Sequence, residues 1–430
     1  MRLENYQFIQ EGELVHDGVR YEDLAQEFGT PLYIFDEDSF RQRLRAYKEA
    51  LRSDYFDTEL LYASKALLTL AVARIVAQEG VGQDIVSGGE LYTSRAGGVD
   101  PAKVYFHGNN KLDQELVFAL EEGVGTFVVD NRQEVQRLNR LAQEQGVVAR
   151  VLLRLNPGIE ASTHEFIQTA HVHSKFGENI HDPEIYAVIQ NMEEASHLHF
   201  AGLHSHIGSQ IFEETSFFQA ATEMMEFATK VQERLSLTIE EINFGGGFGV
   251  YYTEGDTPFD VVEFIPRFLE HIHQEGERLG VPLQKVTLEP GRSLVNASGS
   301  TLYRVGDIKT TLTDKHYLFI DGGMSDNIRP ALYEAKYEAL LANKADQASV
   351  KNYTVAGKLC ESGDIIIEDL PLPEAATGDL LVVNGTGAYN YSMASNYNRL
   401  PRPAMIHIVE GKPRLTVKRE TYEDLLHSEL

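Results

Sequence analysis

The chain has one cysteine, Cys360, in 430 residues, so no intrachain disulfide can form and no oxidising compartment is implied. Basic side chains are scarce: 38 Lys and Arg stand against 65 Asp and Glu, a formal net charge of −27. A phosphate backbone or an anionic membrane surface needs a basic stripe, so partners of that kind are excluded. A small anionic ligand held by a few local arginines is not. Long apolar runs are missing too. The longest, "LLTLAVARIVA", is about 11 residues and carries an arginine, far short of a membrane span. The N-terminus, "MRLENYQFIQEGEL", shows no basic stretch followed by an apolar core, so no signal peptide is expected and the expected location is the cytoplasm. Internal repeats, low-complexity tracts and long linkers are absent. The lone thiol sits in "GKLCESGD", directly before Glu361 and between glycines. A free cysteine is most often a small buried hydrophobe, and composition alone does not say whether this one is more.

A hydrophobic content of 43% supports substantial cores, and the length calls for more than one ordinary domain. From about residue 40 to 290, short apolar runs alternate with amphipathic ones. The runs "TELLYAS", "GQDIVS", "KVYFHG", "TFVVD", "ARVLLRLN", "FAGLHSHIG", "EINFGG" and "KVTLEPG" read as eight strands. Between them, segments such as "NRQEVQRLNRLAQEQG" and "SFFQAATEMMEFATKVQERLS" carry the helical period. Eight alternating β/α units predict a closed (β/α)8 TIM-like barrel, with an open doubly wound sheet as the competitor. After about residue 290 the texture changes to short β-rich runs split by Gly, Pro and Asp, which read as an antiparallel β-barrel or sandwich. The first 35 residues, including "PLYIFD", read the same way. The expected division is therefore a barrel over 36–290 and a β-domain built from 1–35 and 291–430.

Catalytic groups of such a barrel lie at the C-terminal ends of its strands. Strand one ends at Lys65, where desolvation would lower an amine's pKa and favour Schiff-base chemistry; a lysine snorkelling to solvent reads equally well. Strand six ends "GLHSHIGSQ", with His204 and His206 on one face. Pairs at this spacing, repeated in "HVH" (171–173), "HLH" (197–199) and "HIH" (271–273), suit metal ligation, ordinary packing, or stacking on an aromatic ligand. No cysteine or carboxylate stands at a convincing ligand offset, so no metal is expected. Strand seven ends in "GGGFG" (245–249), which reads as a turn or as backbone open to an anion. Strand eight ends "LEPGR", with Glu289 at its end and Gly291 and Arg292 opening the next loop, a candidate phosphate cradle. An amine, a phosphate cradle, a flat imidazole and a carboxylate in one barrel mouth meet the needs of pyridoxal 5′-phosphate.

The motifs "YASKA", "DIVSGGEL", "HGNNK", "GLHSHIGSQ", "NFGGGFG", "EPGR", "DGGMSDNIRPALY", "LCESGD" and "GAYNYSMASNYN", in that order from residue 62 to 398, resemble the diaminopimelate decarboxylase family of fold-type III pyridoxal phosphate enzymes. The resemblance implies a cofactor-bearing barrel, a β-domain from both chain ends, and a homodimer with shared active sites. Lys65 would anchor the cofactor, His206 stack on its ring, and Glu289 pair with its pyridine nitrogen. Ser209, Gly246, Gly291 and Arg292 would hold its phosphate, with Tyr389 reaching both phosphate and substrate. Arg292, Arg329 and Tyr333 would clamp the substrate's distal carboxylate, and Glu361 its distal ammonium. Cys360, arriving from the partner subunit, would return a proton to the carbon that loses CO2. A thiol suits that step because its ordinary pKa, about 8.5, lies near working pH. The implied reaction converts meso-2,6-diaminopimelate to L-lysine and CO2, the last step of lysine biosynthesis.

The sequence departs from the family pattern at Ser205, Lys358 and Asn390, among other positions. None of these removes a charged or nucleophilic group. They leave room for a related decarboxylase acting on another amino acid, such as ornithine, D-lysine or a carrier-bound substrate. Two readings from other classes stand beside these: a metal-dependent barrel hydrolase using the HxH pairs, and an inactive partner-binding homologue. The second is disfavoured because Lys65 and Cys360 are both present.

Overall fold

The computed structural model describes residues 1–159 and 174–430, which divide into two compact units. One unit, Arg43–Gly249 with Pro258–Leu294, is the closed barrel. Its strands are Asp57–Ala63, Gly82–Ile85, Val104–Phe106, Thr126–Val129, Ala149–Asn156, Leu198–Ser205, Glu241–Asn243 and Lys285–Leu288. Each pairs in parallel with the next, and the last closes on the first through Leu288 opposite Leu60. All eight predicted strands are found, which rules out the open sheet. Strands covered by helices on the outside and by each other within read as continuous apolar runs rather than as alternation. Leu61, Tyr105, Val128, Leu152 and Ala201, from five of the strands, form one buried cluster. At the N-terminal end of the barrel the buried Glu241 is met by Tyr105 Oη (2.9 Å), Thr287 Oγ1 (2.5 Å) and Arg150 Nη1 (2.8 Å). That end is a polar plug, and a satisfied one, which is how a buried charge is tolerated.

The helices start and stop where local chemistry says they should. Asn131 accepts the Glu134 N–H at the head of Arg132–Gln145, and Gly146 ends that helix in a left-handed conformation (φ 69°). Such caps fix where each loop meets the following strand.

The other unit comprises Met1–Gln42, Val250–Thr257 and Val295–Leu430. Its main sheet runs, edge to edge, Ile365–Leu372, Lys351–Ala356, His316–Ile320, Gly299–Thr310, Leu32–Asp36, Ala404–Val409 and Lys412–Val417, with Leu380–Asn384 and Ala339–Leu341 paired off this path. The N-terminal segment "PLYIFD" does join this sheet, between Gly299–Thr310 and Ala404–Val409. Most of its pairings are antiparallel, as expected, but two depart from that reading: Leu32–Asp36 runs parallel to Ala404–Val409, and His316–Ile320 parallel to Lys351–Ala356. The first residues also hold a helix, Tyr21–Phe28, whose Tyr21, Leu24 and Ala25 are buried on one face.

Candidate active site

The polar side chains of the barrel gather at the C-terminal ends of its strands. Glu289, one residue past strand eight, is buried and held by three donors. His107 Nε2 stands 2.7 Å from Oε1, Asn243 Nδ2 2.6 Å from the same oxygen, and His204 Nε2 3.0 Å from Oε2. Burial pushes the Glu289 carboxyl up, but the two histidines outweigh it and hold it well below the ordinary carboxylate range. Burial in turn pushes His204 down to about 4. It is therefore neutral at pH 7 and meets Glu289 as an N–H donor, not as a cation. The sequence paired His204 with His206 on one face; instead His204 belongs to the Glu289 group.

His206, just beyond strand six, accepts the Gly246 N–H at Nδ1 (3.3 Å). Burial, followed by the positive charges of Lys65 and Arg154, holds its imidazole well below the usual value. Accepting a hydrogen bond at Nδ1 requires a lone pair there, which agrees with a neutral ring. The loops after strands six, seven and eight touch backbone to backbone. A Cβ on Gly246 would lie 2.4 Å from the Glu289 carbonyl oxygen, and one on Gly247 2.3 Å from the Gly208 carbonyl oxygen. Gly247 also needs φ 110°. Arg292, buried at the start of the short helix Arg292–Val295 that follows the strand-eight loop, donates through Nε to Ser209 Oγ (3.2 Å), tying the first of these loops to the last.

Of the two readings of Lys65, the structure shows the exposed one. Lys65 lies on the turn Ser64–Ala66, past the end of strand one, and is exposed while Ser64 and Ala66 are buried. A residue beyond the strand's last pairing leaves the apolar wall, which accounts for its exposure. Nearby, burial pushes the Asp84 and Glu90 carboxyls up, Glu90 to about 7, and Lys65 is among the groups that oppose the rise. Buried Ser64 Oγ, Ser205 Oγ and Asp84 Oδ1 make no hydrogen bond within the protein.

The remaining predicted residues stand on the β unit. Arg329 and Tyr333 open and close the short helix Arg329–Tyr333. Arg329 is buried, donates to Tyr337 Oη (2.5 Å) and lies over the Tyr252 ring at 4.7 Å, while its Nε makes no hydrogen bond within the protein. Tyr389 has φ 63°, a left-handed conformation that costs a side-chain-bearing residue about 1–2 kcal/mol. Cys360 and Glu361 are exposed. The Cys360 N–H donates to Asn398 Oδ1 (2.7 Å), and Tyr397 Oη donates to Glu361 Oε2 (3.4 Å). Their loop is wound round Asp364, which accepts the N–H groups of Met324 (2.6 Å) and Leu359 (2.8 Å).

Residues that sequence reasoning missed include His107, Asn243 and Asp364. The motifs "HGNNK", "NFGGGFG" and "LCESGD" contain all three, so the signal was present without a role. The other histidine pairs disperse: His199 pairs with Glu240 (3.1 Å), His271 bonds Thr222 (3.0 Å), and His273 stacks on Tyr55 at 3.8 Å. The pair at 171–173 lies outside the described residues.

Residues 37–296 match the family model for the pyridoxal-dependent decarboxylase, pyridoxal binding domain. The chain is 44% identical to the diaminopimelate decarboxylase of Bacillus subtilis (strain 168) over 98% of its length and 96% of that protein. It is similar to a crystal structure of diaminopimelate decarboxylase from M. jannaschii in complex with L-lysine, with TM-score 0.93, 32% identity and coverage of 99% and 98%. A lysine/ornithine decarboxylase from Vibrio vulnificus, complexed with putrescine, matches at TM-score 0.76 and 25% identity, over 90% of this chain and 97% of that one. Among the described residues, no helix is long and apolar enough to cross a membrane.

Proposed function

The chain belongs to the diaminopimelate decarboxylases, fold-type III pyridoxal phosphate enzymes, and from that membership we propose how its own residues divide the work. It converts meso-2,6-diaminopimelate to L-lysine and CO2 with pyridoxal 5′-phosphate as cofactor. The barrel mouth fits that group on its own chemistry. It offers an accessible lysine amine, an ionised buried carboxylate, a neutral imidazole, and a glycine loop too tight for any Cβ beside a buried arginine. The fixed, ionised Glu289 carries this reading, because a protonated ring nitrogen needs such an acceptor.

When bound, the cofactor supplies an electron sink for the pair left behind as a carboxylate departs. Lys65 provides the amine that anchors it. Glu289 holds the ring-nitrogen proton, and His206 presents a flat neutral face. The backbone at Gly246 and Gly291, with Ser209 and Arg292, takes the phosphate, and the strained Tyr389 reaches it from the β unit's sequence. Arg329, helped by Arg292 and Tyr333, binds the substrate's distal carboxylate through planar guanidinium donors. Glu361 takes the distal ammonium, and Cys360 delivers a proton to the carbon that has lost CO2. A substrate whose far end is itself a zwitterion requires both cationic and anionic partners. Ornithine has no distal carboxylate for Arg329.

The exposure of Cys360 and Glu361 on their loop supports a homodimer in which each β unit serves the partner's barrel. In this reading, residues 36–290 form the cofactor domain, while 1–35 and 291–430 form the domain that completes the site and the interface. The single cysteine supports a cytoplasmic location. The direct test is Lys65→Ala, which should abolish the visible absorbance of the lysine-bound cofactor; a retained band would remove Lys65 as the anchor.

A further inference from the structure

We propose that His107, in the motif "HGNNK", is a positioning residue that orients the Glu289 carboxylate toward the cofactor's ring nitrogen; the inference rests on Glu289 being that nitrogen's partner. An ionised carboxylate only accepts, so each nitrogen facing it carries a hydrogen. Oε1 already takes two, from His107 (2.7 Å) and Asn243 (2.6 Å), whereas Oε2 takes one, from His204 (3.0 Å). Oε2 is therefore the oxygen with room for a further N–H, and His107 is one of two groups that keep Oε1 from turning to it.

His107 is itself held rigidly. Its backbone N–H donates to the Ile85 carbonyl (2.8 Å), and the ring packs edge-on against His204 at 4.7 Å between centroids. Four residues on, Lys111 is buried, with Nζ bound to the Gly108 carbonyl (2.9 Å), the Val128 carbonyl (2.8 Å) and Glu134 Oε1 (2.6 Å). A buried ammonium gripped by the carbonyl after His107 fixes the loop that follows strand three. Both ends of the motif thus serve one purpose: the lysine locks the loop and the histidine locks the carboxylate. Asp84 Oδ1 lies 3.9 Å from the same His107 nitrogen, beyond hydrogen-bond distance, so that N–H is given to Glu289 rather than to Asp84.

The test compares His107→Phe, His107→Asn and His107→Gln in the full-length protein. Glutamine can place an amide nitrogen where Nε2 stands, whereas asparagine ends one bond short. Three readouts are needed: the dissociation constant for pyridoxal 5′-phosphate, the pH titration of the bound cofactor's absorbance, and kcat against KM. His107→Phe and His107→Asn should weaken cofactor binding about tenfold, shift the absorbance titration, and lower kcat with KM little changed, as expected for one lost buried donor. His107→Gln should recover most of each. If His107→Phe does not fold, His107→Asn carries the comparison. Binding, titration and kcat within twofold of the parent in His107→Asn overturn the proposal. Glu289→Gln separates the two layers. If it collapses the titration while His107→Asn does not, His107 has no such role. If Glu289→Gln leaves the titration unchanged, the assignment of Glu289 itself is wrong.

Discussion

Gly246→Ala is a sharp perturbation of the barrel mouth, because the three atoms nearest to a new Cβ there are all backbone. It would lie 2.4 Å from the Glu289 carbonyl oxygen, 2.9 Å from its carbonyl carbon and 3.0 Å from Pro290 Cα. An ordinary C···O approach needs about 3.3 Å, so the loops after strands seven and eight must part by about 0.9 Å. No flexible side-chain end can yield instead. Overpacking of this kind costs about 1–3 kcal/mol in stability, or roughly 2–4 °C in Tm per kcal/mol for a unit of this size. The functional loss should be larger. The displaced backbone carries Glu289, and a shift of about 1 Å in a catalytic group costs on the order of 100-fold in rate. The assay titrates the apo-protein with pyridoxal 5′-phosphate by visible absorbance and then measures kcat. Expected are a folded protein, cofactor affinity reduced about tenfold and kcat reduced about 100-fold. Gly306→Ala is the control, since its Cβ would meet only the Phe319 carbonyl oxygen at 3.7 Å. A Gly246→Ala protein with parental affinity and kcat refutes the reasoning about the cradle.

Two other predictions follow from the assignments above. Cys360→Ala should lower kcat about 100-fold, the usual loss for a missing proton donor, while leaving cofactor affinity intact; parental steady-state rates would remove the thiol from the proton transfer. Burial holds His204 down to about 4, whereas the unfolded chain takes up this proton near the ordinary value of 6.5. The contribution to stability is therefore complete above about pH 6.5 and is lost as pH falls to about 4, by at most about 3 kcal/mol. Thermal melts of the apo-protein should show this fall, and His204→Gln should flatten part of it; a flat parental profile contradicts the burial argument.

How much of this is legible in the sequence depends on the range of the interaction. The eight barrel strands are, because a strand covered on both sides is apolar throughout and its ends are marked by turn residues. Lys65, His206, Glu289 and Arg292 follow from them, since the barrel rule selects strand ends. His107 does not follow. It meets Glu289 across 182 residues of sequence, through closure of the barrel, and "HGNNK" has no local feature pointing to a carboxylate. Whether Lys65 is desolvated or exposed stays open in the sequence, because it turns on where the strand's pairing stops. In the β unit, alternation gives the strands but not their direction, so the two parallel pairs look no different from antiparallel ones. Asp364 reads as one more loop acid until its carboxylate is found holding the backbone of the cysteine loop.

The central claim is tested most directly by the gas released. The purified protein with pyridoxal 5′-phosphate should liberate CO2 from meso-2,6-diaminopimelate and yield one L-lysine for each CO2, with no comparable release from ornithine, lysine or arginine. Release of CO2 from ornithine but none from diaminopimelate would contradict the account.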